Sequence, residues 1–218
     1  MNLSSLSIES VKEFCELVYW KLAQRSDKQL RNDHYKEFYT SYFDLDESFY
    51  TGKAIMDIGC GPRGSLEWAN MTTERIGLDP LAEKYLKMGA SKHKMTYVKA
   101  YVEDIPFDDN HFDVICSFNS LDHVKNIEES CKEIKRVLKP GGLFLLVVDI
   151  HKYPTFTEPQ CLNWSFLQDH FSDFHVLEEK HLENAVKRRI YSNLRTNKEL
   201  AKGSTENGVL VAKIQKPD

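Results

Sequence analysis

From residue 53 onward the chain alternates short apolar runs with amphipathic stretches, and this alternation constrains the fold more than any other feature. "KAIMDIG", "RIGLD", "MTYVKAYV", "FDVICSFN" and "LFLLVVDI" read as strands, and "GSLEWANM", "LAEKYLKMGA" and "NIEESCKEIKRVL" read as helices. Such alternation implies right-handed crossovers and a parallel sheet with helices on both faces. The helix signal is clearest over 127–138. Ile127, Cys131, Ile134 and Leu138 form its apolar stripe, Asn126 suits the N-cap, and Pro140-Gly141-Gly142 ends it. Beyond residue 150, "LNWSFLQDHF" predicts a helix, while "DFHVLEEKHL" and "NGVLVAKIQK" predict strands, the last opened by an Asn207-Gly208 turn. The segment 183–206 is basic, polar and weakly patterned, so a long loop or a short helix with loops is expected.

The first strand runs into Gly59-Cys60-Gly61-Pro62-Arg63-Gly64, a literal G-x-G-x-x-G, and Asp79 stands twenty positions after Gly59. By rule this is a dinucleotide fingerprint. Its flanks disagree. Asp57 ends the strand, where a carboxylate would repel a pyrophosphate and attract an ammonium group. Pro62 and Arg63 occupy the positions where the following helix should begin, although proline is tolerated at a first helical position. The loop also follows about 50 residues of helix-like sequence, whereas a dinucleotide fingerprint often opens its domain. A nicotinamide oxidoreductase is therefore disfavoured.

Four blocks in order carry a resemblance. "AIMDIGCGPRGSLEWA" resembles motif I of class I S-adenosylmethionine-dependent methyltransferases, and "RIGLDPLAEKY" resembles their second motif. "AYVEDIPFDDNHFDVICSFNSLDHV" and "EIKRVLKPGGLFLLVVD" are similar to the blocks around strands four and five. The likeness covers about 54–150. It implies a Rossmann-like α/β fold, with a seven-stranded mostly parallel sheet, helices on both faces and an N-terminal helical cap. It implies S-adenosyl-L-methionine as cofactor and S-adenosyl-L-homocysteine as product. Asp57 would neighbour the methionine amino group. Gly59, Cys60 and Gly61 would run past the methionine and ribose. Asp79 would accept the ribose hydroxyls, and Pro80 and Leu81 would pack on adenine. Many members carry Asp-Ala where this chain has Tyr101-Val102. Glu103 is then the substitute candidate for the adenine amino group, with the Val102 N–H towards the ring. Ser117 and Asn119 would border the sulfonium. Arg63 is a candidate for the methionine carboxylate, in competition with Arg31 and Tyr35.

Ligands of open α/β sheets bind beyond the carboxyl ends of the strands. That places Asn119, Ser120, Asp122 and His123 after strand four, and Asp149 and His151 after strand five, near one mouth. Methyl transfer needs a base only when the acceptor must lose a proton. His123, Asp122, Asp149 and His151 are the candidates for that role, set against structural roles for each. "TEPQCLNW" could wall the acceptor site, with Glu158 reaching a polar acceptor. His170 and His175 lack a carboxylate partner at metal-site spacing, so no metal is expected.

Ser10 and Glu13 form a capping-box pattern, followed by Val11, Phe14, Cys15, Val18 and Leu22 at helical spacing. In "HYKEFYTSYF", Tyr35, Phe38, Tyr39, Tyr42 and Phe43 make an aromatic stripe suited to core packing or to a lid over a ligand. With 218 residues and 41% hydrophobic content, a single domain is expected: a cap at 1–50, a cofactor-binding core at 51–150, and the rest of the sheet with a substrate-side loop at 151–218. A net charge of −4 argues against a general nucleic-acid binder. "GLFLLVVDI" is too short to span a bilayer, and the N-terminus lacks a signal-peptide pattern. Five scattered cysteines without a C-x-x-C fit reduced thiols and a cytoplasmic location. The acceptor is expected to be a small molecule, anionic if Lys187, Arg188, Arg189 and Arg195 hold it. The alternatives are a protein or nucleic-acid acceptor, for which no Asn-Pro-Pro-Tyr-type motif follows strand four, or a non-catalytic cofactor-binding module.

Overall fold

A computed structural model describes residues 8–27, 32, 34–156, 158–185, 190–201 and 203–218. Seven strands form one sheet: β1 (Ala54–Ile58), β2 (Glu74–Leu78), β3 (Thr96–Val98), β4 (Phe112–Phe118), β5 (Leu138–Ile150), β6 (His175–Glu183) and β7 (Gly208–Gln215). Their order is β3-β2-β1-β4-β5-β7-β6. The ladders from β3 to β5 are parallel, and β7 runs antiparallel between β5 and β6. This is the Rossmann-like arrangement expected, with the strand order reversing between β1 and β4. A crevice opens at such a reversal.

Both faces of the sheet are covered, so its central strands are apolar at nearly every position. Alternate side chains pass to opposite faces. Met56, Ile58, Ile115, Phe144, Leu146 and Val148 join a cluster with α4 (Ile127–Val137) and α5 (Phe166–Phe171). Ile55, Val114, Cys116, Leu145 and Val147 join the other, which receives Tyr35, Phe38, Tyr39 and Phe43. The aromatic stripe is thus core. It is not one helix: α2 (Lys36–Tyr39) gives way at Thr40 to a 3-10 turn, Ser41–Phe43. Asn126 caps α4 as expected, its side chain accepting the Glu129 N–H at 3.2 Å.

Several expected elements differ. The helix expected over "GSLEWANM" is a series of turns, with Glu67 N–H bonded to Gly64 and Ala69 N–H to Leu66. The Arg75 guanidinium reaches back to the Leu66 and Glu67 carbonyls and the Asn70 side chain, the Leu66 carbonyl accepting the Ala69 N–H as well. β3 keeps only three residues of the longer strand expected. Within 183–206 lies the short helix α6 (Ile190–Thr196), besides α3 (Ala82–Lys87) earlier in the chain.

α1 (Ile8–Asp27) forms as expected, with its apolar stripe turned outward. Phe14, Cys15, Val18 and Leu22 are exposed, and none of residues 11–25 is buried. The opposite face meets the protein through Glu13, Glu16, Trp20 and Gln24, which share one side of a 3.6-residue period. Glu13 binds Lys84 and Tyr101, Glu16 accepts the Tyr85 hydroxyl, and Gln24 donates to the Met88 carbonyl. The side chain of Ser10 lies outside the described residues. No helix among the described residues is long and apolar enough to cross a membrane.

Candidate active site

At the end of β1, Asp57 is buried on the aromatic face. Its Oδ2 accepts the Tyr39 hydroxyl at 3.0 Å and the Ser65 hydroxyl. Burial raises its pKa to about 7, and the two hydroxyl bonds act against that rise. Asp79, after β2, is equally buried. Its Oδ2 accepts the Gly61 N–H at 3.2 Å and its Oδ1 the Leu81 N–H at 2.8 Å. Burial, then the negative charge of Glu16, raises its pKa to about 8. Two carboxylates therefore flank the glycine loop, their hydrogen-bond partners among the described residues being hydroxyl and backbone N–H groups.

The loop between them needs its glycines. Gly59 has φ +69°, and a Cβ there would overlap the Ser120 side chain. Ser120 closes the crevice floor: its hydroxyl donates to the Ile58 carbonyl at 2.9 Å and pairs with the Ser117 hydroxyl at 2.7 Å. Ser117 is therefore engaged in locking the two loops together. Gly61 has φ +58°, and its open side is filled by the Trp20 ring. Cys60 is buried, and its Sγ would stand 2.6 Å from a Cβ on Gly77. Arg63 lies 5.7 Å from the Trp20 ring, and its charge acts against the rise that burial imposes on the Tyr35 phenol. Arg31 lies outside the described residues.

On the adenine side expected from sequence, Leu81 packs with Tyr85, Ala90 and Trp20, while Pro80 is half-buried. Val102 is buried in the core. Glu103 splits its carboxylate. Its Oε1 accepts the N–H groups of Lys125 and Asn126 at 2.8 and 3.1 Å, and its Oε2 is buried without a partner.

Beyond β4 and β5 lies a second group. Asn119 adopts φ +57°, and its N–H bonds the Val147 carbonyl at 2.7 Å. The short turn Leu121–His123 then sinks Asp122 to full burial, with neither carboxylate oxygen hydrogen-bonded. His123 Nε2 stands 3.9 Å from Asp122 Oδ1. Asp149 Oδ1 and His151 Nε2 are also buried without partners. Burial, then Asp122 and Glu158, raises the Asp149 pKa to about 6. Burial also raises Asp122, with His123 acting against it. Gln160 fastens the loop carrying Glu158 to this turn, donating to the carbonyls of Val124 and Lys125.

The structure thus brings Asp57, Gly59, Cys60, Gly61, Arg63, Asp79, Pro80 and Leu81 around one loop, and Asp122, His123, Asp149 and His151 around one mouth. Arg195 is elsewhere, ion-paired with Glu37, while Lys187, Arg188 and Arg189 lie outside the described residues. His170 packs tilted against Phe166, ring centroids 4.9 Å apart, with Glu128 Oε2 4.0 Å from its Nδ1, and His175 is exposed. Sequence reasoning missed Ser65, Glu16 and Trp20 as neighbours of the loop. Tyr39 carried a signal, as a phenol within the aromatic stripe.

Residues 56–146 match the family described as "Methyltransferase domain". The sterol 4-C-methyltransferase strm-1 of Caenorhabditis elegans is 33% identical over 131 residues, covering 56% of this chain and 36% of that protein. The chloroplastic tocopherol O-methyltransferase of Arabidopsis thaliana is 31% identical over 120 residues, covering 51% and 34%. The chain thus spans about a third of the length of these relatives. Among solved structures, the [4+2]-cyclase SpnF superposes with a TM-score of 0.63 at 16% identity, covering 97% of each chain, a likeness of fold.

Proposed function

Since the chain belongs to the class I S-adenosylmethionine-dependent methyltransferases, we propose that residues 1–218 act as one domain that binds this cofactor at the β1/β4 crevice and methylates a small-molecule acceptor at the adjoining mouth. The reading rests on Asp57 and Asp79, two buried carboxylates on either side of the glycine loop. Buried charges are retained when something compensates them. An ammonium group beside Asp57 and a vicinal diol at Asp79 would do so. Gly59 and Gly61 let the backbone approach such a ligand, and Glu103 Oε2 is left to accept from an adenine amino group. When bound, the sulfonium supplies an activated methyl carbon, so the protein's task is chiefly alignment of the nucleophile.

Asp149 and His123 are the groups placed to receive an acceptor proton, Asp149 with a pKa of about 6. The mouth is acidic, with Asp122, Asp149 and Glu158 together. That favours a neutral or cationic acceptor over the anionic one suggested by the basic segment. Tyr153 and Phe156, exposed on the loop after β5, leave apolar surface beside the segment that carries His151 and Glu158. The sterol and tocopherol named for the relatives fit a neutral, lipophilic acceptor of this kind. Five free cysteines support a reducing compartment such as the cytoplasm.

The test is calorimetric titration with S-adenosylhomocysteine, with NAD in parallel. Micromolar binding of the first alone is expected. Binding of NAD alone, or of neither, would overturn the reading.

A further inference from the structure

Three segments distant in sequence place ligating atoms together. A carboxylate oxygen of Asp122, one of Glu158 and a ring nitrogen of His151 all lie within 4.8 Å of one another. The residues come from the turn after β4, the end of β5 and the following loop, so no metal-site spacing is visible in the sequence. Three observations say that the group is built to hold something. Asp122 is fully buried with neither oxygen hydrogen-bonded, His123 Nε2 standing 3.9 Å from Oδ1. His151 Nδ1 lies 2.8 Å from the Tyr153 carbonyl, which can only accept, so Nδ1 carries the proton. In the neutral imidazole Nε2 then keeps its lone pair, and that atom is buried without a hydrogen-bond partner. A ligating histidine is commonly oriented by this kind of bond at its other nitrogen. Thirdly, Glu158 is itself held by Thr155, whose hydroxyl donates to Glu158 Oε2 at 3.1 Å.

We propose that Asp122, His151 and Glu158 form a binding site for a divalent first-row cation, with Asp149 and His123 beside it. Two carboxylates and one imidazole suit Mn2+, Fe2+, Co2+ or Zn2+ better than Mg2+ or Ca2+, which prefer oxygen alone. The site lies in the acceptor mouth, so its use in the reaction rests on the methyltransferase reading, whereas cation binding itself does not. A cation there would take an acceptor oxygen as ligand and lower the pKa of its hydroxyl. The proton would leave to Asp149 or through half-exposed His123 to solvent. The O–CH3 bond would then form as the CH3–S bond breaks, leaving a neutral thioether.

The experiment is titration of the chelator-treated full chain with Co2+, read by visible d–d absorption, with Mn2+ followed by electron paramagnetic resonance. One saturable equivalent is expected, with affinity falling at least tenfold in both His151→Ala and Asp122→Asn. Glu158→Gln, at a half-buried loop position, guards against a folding defect in the fully buried variant and should weaken binding as well. S-adenosylhomocysteine titrated into the same samples keeps the two readings separate, because it should bind the variants as it binds the parent. Absence of saturable binding at millimolar Co2+ would overturn the proposal, as would binding that the three substitutions leave unchanged. In the first case the acidic mouth would be left to an ammonium-bearing acceptor.

Discussion

The indole of Trp20 lies against the backbone of Gly61, so that a Cβ at Gly61 would stand 2.9 Å from its Cζ2. α1 therefore covers the glycine loop with its largest side chain. A Gly61→Ala substitution meets two costs. The left-handed φ of +58° disfavours any Cβ by about 1–2 kcal/mol, and the ring must shift. In a Trp20→Ala background only the first remains. Urea titration of the double-mutant cycle should therefore show Gly61→Ala milder without the ring, with a coupling of at least about 0.5 kcal/mol. Strict additivity would mean that Trp20 does not rest on the loop in solution.

The two buried carboxylates make stability depend on pH with a defined sign. Asp57 holds its proton to about pH 7 and Asp79 to about pH 8, chiefly through burial. In the unfolded chain both ionise near the ordinary value of 3.8. Between those limits the folded state binds more protons, so stability falls as pH rises from about 4 to about 8 and then levels. Thermal melts of the cofactor-free protein should drop between pH 5.5 and 8.5, and Asp57→Asn or Asp79→Asn should flatten the slope. If both variants keep the parent slope, other groups control it.

α1 gives a sharp contrast between pattern and structure. Phe14, Val18 and Leu22 are 65%, 37% and 58% exposed. Were they core, each truncation to alanine would cost about 2–5 kcal/mol for the larger side chains. On the outer face, alanine removes almost nothing and favours the helix. The triple alanine variant is expected to keep its urea midpoint within about 1 kcal/mol of the parent. Loss of folding in that variant would place the stripe against the protein after all.

The sheet was legible because both its faces are buried, which writes an apolar run for each central strand. The loops beside Asp57 and Asp79 were legible for a different reason: the glycines and acidic ends are local in sequence. What stayed hidden was assembled across the fold. The turns at 64–71 are held by Arg75, which reaches back from β2 to the Leu66 and Glu67 carbonyls, a contact made across the fold. Glu158 meets Asp122 and His151 only because Gln160 stitches its loop to the turn after β4. The orientation of α1 escaped because periodicity marks an apolar face but says nothing of what it meets. Here polar bonds from Glu13, Glu16 and Gln24 decide it.

Glu103 supplies a test of specificity. Its Oε1 holds the Lys125 and Asn126 N–H groups, a task that an amide oxygen can share. Its Oε2 is buried and unpartnered. Glu103→Gln should therefore melt near the parent while presenting an amide NH2 where the carboxylate had offered an acceptor. If that oxygen takes the adenine amino group, S-adenosylhomocysteine should bind the variant about tenfold or more weakly, since a charge-assisted bond of about 1.5–3 kcal/mol is replaced by two facing donors. The inosine analogue, which presents a carbonyl in place of the amino group, should lose its disadvantage in the variant. Calorimetry with both ligands on both proteins reads the four affinities. Equal losses for the two ligands would show that Glu103 supports the loop without reading the base.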